Sequence, residues 1–172
     1  PQHTGLVWQT LADDPTDSFM ELWFAADAAE AFEALRLRLQ APDGRVIEAG
    51  IGQIALLQDA LGGLQASLDF RRQPPAGRAG VRAMALIALA PACGARAGLA
   101  GGAWRIELAY DHPDLGCQVD AWLQRDTPGR SRLPARQSYI DSTWGVLRVN
   151  GARAVSSLAT GERTVVVGAA RA

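Results

Sequence analysis

No lysine occurs in the sequence: all seventeen basic residues are arginine. This usage reflects G- and C-rich coding and a fixed guanidinium charge, and it points to no function. Cysteine and histidine are nearly as scarce, with only Cys93, Cys117, His3 and His112. Without a Cys-x-x-Cys pair, and with two histidines to complete a ligand set, a structural zinc site is excluded. Each cysteine lies beside a strand-like segment, where a small buried thiol is the usual state and a single disulfide the alternative, so the redox compartment stays open. No apolar run approaches the ~20 residues of a membrane-spanning helix. The opening PQHTGLVWQT lacks the charged head and apolar stretch of a secretory signal. Nor does one sign of charge dominate: 17 basic against 18 acidic residues leave −1. No field therefore draws nucleic acid or an anionic membrane, and neither is expected as a partner.

What the chain does contain is an ordinary globular composition, with 48% hydrophobic and 20% charged residues over 172 positions. That suits one domain, with or without an appendage, and excludes disordered, collagen-like and coiled-coil chains. The chain opens on Pro1 with no initiator Met, as expected of a piece of something longer.

Eighteen glycines and nine prolines punctuate short alternating segments, a pattern of many strands. After the turn-forming stretch Asp13 to Asp17, SFMELWFA (18–25) places Phe19, Glu21 and Trp23 on one face and Met20, Leu22 and Phe24 on the other. Both faces are expected to be partly covered. In AFEALRLRLQAPDG (31–44), Leu35, Leu37 and Leu39 alternate with Arg36, Arg38 and Gln40 before a Pro42-Asp43-Gly44 turn. This predicts a half-buried strand, with a helix as the alternative. Further strands are expected at 52–58, 64–72 and 81–91, and a hairpin from GGAWRIELAY (101–110) and CQVDAWLQRD (117–126) around DHPDLG. From Thr127 to Ala135 apolar periodicity stops, which marks a boundary. Beyond it, 151–161 suits a short helix and 163–170 an apolar strand.

The residues that carry chemistry are few. A serine hydrolase needs a nucleophile, a base and a group orienting the base. Only His3 and His112 can serve as histidine bases, and no Ser lies in a Gly-x-Ser-x-Gly context. The carboxylates Asp13, Asp14, Asp17, Glu21, Asp111, Asp114 and Asp120 offer candidates for glycosidase-type pairs. Turn formation accounts for most of them, and for His112 between Asp111 and Pro113. Loop aspartates of a β-sandwich can also hold calcium, but the spacing of a calcium loop is missing. No cofactor is expected, with calcium as the alternative. Trp23, Trp104 and Trp122 fall inside strand patterns and read as packing, which leaves Trp8 and Trp144 as candidates for stacking on a ligand. Arg125, Arg130, Arg132 and Arg136 read as a solvated arm. No catalytic, cofactor-binding or metal-binding residue is assigned.

The segment GGAWRIELAYDHPDLGCQVDAWLQRD (101–126) resembles the closing strands of the jelly-roll domains that accompany subtilisin-like serine peptidases, such as the P-domain of proprotein convertases. Its flanks TDSFMELWF (16–24), RQSYIDSTWG (136–145) and SSLATGERTVVVGA (156–169) resemble the segments bounding a jelly roll inserted within the catalytic domain of bacterial subtilases, including those of the clostridial germination type. Thr164 to Ala169 is similar to a catalytic-domain strand of that family, and Gln2 to Gly5 would follow the strand bearing the oxyanion asparagine. The Asp-Ser/Thr-Gly, His-Gly-Thr-His, Ala-Ala-Gly-Asn and Gly-Thr-Ser-Met-Ala motifs are all missing. The resemblance therefore carries over no catalytic residue. It implies an all-β jelly-roll sandwich over 5–126, with 127–172 as a boundary arm and edge of the parent peptidase domain. The implied role is non-catalytic, bracing the catalytic domain as an intramolecular partner or shaping access to its cleft. The alternative is a carbohydrate- or protein-binding sandwich module, with an autonomous hydrolase on paired carboxylates as a third. A secreted or cell-envelope location follows from the resemblance alone.

Overall fold

In a computed structural model of the protein, residues 2–12, 14, 16–74, 81–90, 101–110, 116–124 and 137–141 are described. Alternation dominates their burial, and strands account for most of them. In chain order these are β1 (Gln2–Thr10), β2 (Ser18–Ala26), β3 (Leu35–Gln40), β4 (Val46–Gly50), β5 (Gln53–Gln58), β6 (Leu64–Gln73), β7 (Val81–Leu89), β8 (Gly102–Tyr110), β9 (Cys117–Leu123) and β10 (Tyr139–Asp141). One turn of helix, α1 (Glu30–Glu33), precedes β3 and buries Ala31 and Phe32.

Two five-stranded antiparallel sheets pack face to face, in the orders β10-β1-β8-β3-β4 and β5-β6-β7-β2-β9. The all-β sandwich expected from the turn and alternation pattern is the architecture found. Passing from β1 to β2, or from β7 to β8, the chain changes sheet, while β1 lies beside β8 and β2 beside β7. That doubled-over ribbon is the wrap of a jelly roll at one end. The other end closes through the neighbours β3–β4 and β5–β6–β7.

Between the sheets, alternate residues meet. The first sheet contributes Leu6, Trp8, Leu35, Leu37, Leu39, Trp104, Ile106 and Leu108; the second contributes Met20, Leu22, Phe24, Ala66, Leu68, Phe70, Ala83, Ala85, Ile87 and Leu89. Each large apolar side chain so removed from water contributes about 1.5–3 kcal/mol. Phe24 and Phe70 pack with ring centroids 5.1 Å apart at a 46° tilt. A small cavity of about 20 Å³ remains among Gly5, Leu6, Leu22, Ile106, Leu108, Val119 and Ala121. It has room for a single water and for no ligand.

Three expectations are corrected. The hairpin over 101–126 does not form: β8 pairs with β1 and β3 in one sheet, whereas β9 pairs with β2 in the other. Alternation reveals which face of a strand is buried but not which neighbour it finds, and six linking residues easily span the ~10 Å between sheets. Trp8 is fully buried and lies opposite Trp104 on β8, so it is core and not a stacking candidate. Gly5, Thr4 and Gln9 obscure the alternation around it. Finally, within 31–44 the expected half-buried strand forms as β3 (Leu35–Gln40), but its start is later than expected, because α1 takes the chain up to Glu33.

Gln2 and Tyr139–Asp141 belong to strands of the first sheet, so the sandwich draws on residues outside 5–126. The helix expected at 151–161 and the strand expected at 163–170 lie outside the described residues, as do Trp144, His112, Asp13, Asp111, Asp114, Cys93 and the four arm arginines.

Candidate functional site

Because strand side chains alternate, each sheet of the sandwich also has an outer face, and the two outer faces differ in chemistry. On the first sheet, the outward positions of β3, β4 and β8 include Arg36, Arg38, Gln40, Glu48, Arg105 and Glu107, with Val46 opposite Gln40 as an exposed apolar side chain among them. Arg38 lies opposite both Glu48 and Glu107 and bridges Glu107 at 3.2 Å. This is a solvated, charge-compensated surface, whose exposed ion pairs add little to stability.

The second sheet presents apolar and aromatic side chains outward instead. Opposite-strand pairing sets two rows across β6, β7, β2 and β9. The first is Asp69, Leu86, Glu21 and Trp122, and the second is Arg71, Met84, Trp23 and Asp120. Phe19 stands beside Ala88 one step along, and Ile54 and Leu56 on β5 extend the surface to the sheet edge. Phe19, Trp23, Met84, Leu86 and Trp122 are half-buried by their neighbours on the face itself. Trp23 donates its Nε1–H to Oε2 of Glu21 at 2.8 Å, which fixes the ring across its own strand. Asp69 is paired with Arg71 at 2.7 Å. Glu21 and Asp120 are thus brought to one open face, diagonal to each other, but not into a cleft.

The other candidates scatter. Asp14 is buried in the β1–β2 connection, where its Oδ1 accepts hydrogen bonds from the Thr16 amide at 3.0 Å and hydroxyl at 2.6 Å. It is a turn-forming aspartate. Asp17 is exposed just before β2, and His3 lies on β1. Among the described residues no three His, Cys, Asp or Glu side chains gather to hold a metal. Notch-like space also exists where Pro42 and Gly44 of the β3–β4 turn approach Gly102 and Arg105, but it is open to solvent and brings no pair of titratable groups together.

Cys117 carries a free thiol, half-buried at the start of β9, and Cys93 lies outside the described residues. Burial pushes the Cys117 thiol above its ordinary value, since a thiolate there would be desolvated. At pH 7 its alkylation by iodoacetamide is therefore expected to run several-fold slower in the folded chain than in denaturant. Equal rates, followed by mass spectrometry of the Cys117 peptide, would contradict its burial.

Sequence reading anticipated Trp23 and Trp122 on strands but assigned them to packing. The phase of Trp23 with Phe19 and Glu21 is legible in the sequence, and the missed signal was that Trp122 on β9 likewise lies opposite in phase to Val119 and Ala121, which pack against the core.

Compared with known protein families and with curated proteins, the sequence matches none. Among solved structures it is similar to the Clostridium perfringens CspB protease, at 13% identity over 72% of this chain with a TM-score of 0.48. The chain spans 24% of that protein's length. A likeness at this level assigns no activity, substrate or partner.

Proposed function

We propose that this sandwich is a non-catalytic accessory domain of a subtilisin-like serine peptidase, and that it braces the catalytic domain through the outer face of its second sheet. The observation that carries this is the contrast between the two outer faces: one is solvated and ion-paired, the other carries Phe19, Trp23, Met84, Leu86 and Trp122 in adjacent rows. An outer face that sets these apolar and aromatic side chains around Glu21, with Asp69, Arg71 and Asp120 at its sides, is suited to an interaction surface. The resemblance of 16–24, 101–126, 136–145 and 156–169 to inserted subtilase jelly rolls supplies the occupant, since it makes the chain continuous with a catalytic domain on either side.

Of the two tryptophans offered for stacking on a carbohydrate, Trp8 packs in the core, and Trp144 lies outside the described residues.

In the intact parent polypeptide, the double substitution Trp23→Ser and Trp122→Ser is expected to split a single coupled thermal transition into two, as the sandwich and peptidase domains uncouple. The 172-residue chain with the same changes should keep its far-UV circular dichroism. An unchanged single transition in the parent would refute docking through this face. Flanking reading frames that lack all four peptidase motifs would refute the parentage itself.

A further inference from the structure

Among the described residues, four strands form the edges of the two sheets, and three of them are protected. β10 spans three described residues, β4 carries Glu48, and β9 carries Asp120. Short length and charge are the ordinary devices that keep an exposed edge from pairing with another chain. The fourth edge, β5 with the sequence QIALLQ, has no charge, no proline and no glycine. Its outward residues Ile54 and Leu56 are 57% and 55% exposed.

We propose that β5 is a self-association edge, at which two copies of this chain pair antiparallel about a twofold axis through Ala55. A twofold contact sets each group against the same surface of the other copy, so a charged strand would repel itself while an uncharged one would not. That favours β5 over β4 or β9 and a second copy over a charged peptide. The pleat narrows the register further: outward side chains meet outward ones only when paired positions share parity. Pairing centred on Ala55 sets Ile54 of each copy against Leu56 of the other, which buries both large exposed side chains twice over. It uses residues 53–57 only. At the end of the strand, the carbonyl of Gln58 is already occupied by the Arg45 guanidinium, which also reaches the Gln65 side chain and the Asp43 carboxylate. The shift in pairing between Leu57 and Gln58 likewise ends the regular edge there.

Another exposed apolar residue lies nearby without belonging to the edge. Leu61 is 91% exposed at the tip of the β5–β6 turn, where Asp59 Oδ1 accepts the amides of Leu61 and Gly63, each at 2.8 Å. It separates edge pairing from general stickiness.

The 172-residue chain is examined by sedimentation equilibrium as wild type, Leu56→Lys and Leu61→Lys. The wild type is expected to show a reversible monomer–dimer equilibrium. Leu56→Lys places a charge in both apolar pairs and should raise the dissociation constant about tenfold or more. Leu61→Lys should leave that constant unchanged, with all three proteins giving the same far-UV circular dichroism. A wild type that stays monomeric at every concentration would overturn the proposal. So would a dimer that survives Leu56→Lys, or one that Leu61→Lys dissociates equally well.

Discussion

Trp104→Ala is expected to lower the folding free energy by ~3–5 kcal/mol, through the lost transfer of the indole and the cavity left behind. Trp104 is fully buried near the start of β8, a strand paired on both sides, with Trp8 directly opposite on β1. The two indoles fill one end of the space between the sheets, and antiparallel strands fixed on either side leave little freedom to collapse into a void. Arg38→Ala serves as the contrast. Its guanidinium is half-exposed and bridges Glu107 at the surface, so its loss should move stability by no more than ~0.5 kcal/mol. Denaturant midpoints with matched slopes report both differences. Similar shifts for the two variants would mean that the outer face of the first sheet carries as much of the stability as the core.

Fluorophosphonate treatment of the 172-residue chain is expected to modify no serine. In a working triad, loss of the nucleophile or its base lowers turnover by about 10⁶, because serine is a poor nucleophile without a neighbouring imidazole. Ser18 begins β2 with its hydroxyl fully buried, and Ser138 is buried just before β10. Ser67 is outward on β6, opposite Leu56 and Ala88, while His3 lies in the other sheet. The intact parent, with the four missing motifs restored, should be labelled stoichiometrically at its nucleophile. Mass spectrometry of the probe-treated chain decides the matter, since one full equivalent on any serine here would place an active site within these residues and end the accessory-domain proposal.

The class of fold was legible because a core-facing strand must alternate. Leu35, Leu37 and Leu39 against Arg36, Arg38 and Gln40 can be buried on one side only as a strand, and Trp104, Ile106 and Leu108 repeat that logic on β8. Turn chemistry helped equally: Gly44 and Gly62 take positive φ of 89° and 82° in the turns that separate β3 from β4 and β5 from β6. Local propensity and burial agree at these positions, so each could be read without knowledge of its neighbours.

Partners in the sheet were a different matter. Nothing in 101–126 distinguishes a hairpin from a crossing between sheets, because the same alternation satisfies both, and only the whole set of pairings sends β9 to β2. Trp8 was hidden for a related reason, since its burial depends on Trp104 lying opposite it across 96 residues of sequence. The candidate surface was likewise invisible along the chain: Phe19, Trp23, Met84, Leu86 and Trp122 become one face only when β7, β2 and β9 lie side by side. Sequence alone determined that this chain forms strands around a buried apolar layer, because periodicity and turn residues act over a few neighbours. Tertiary structure alone decided which strands meet, which aromatics are core and which edge is left open, because those depend on contacts between residues far apart in the chain.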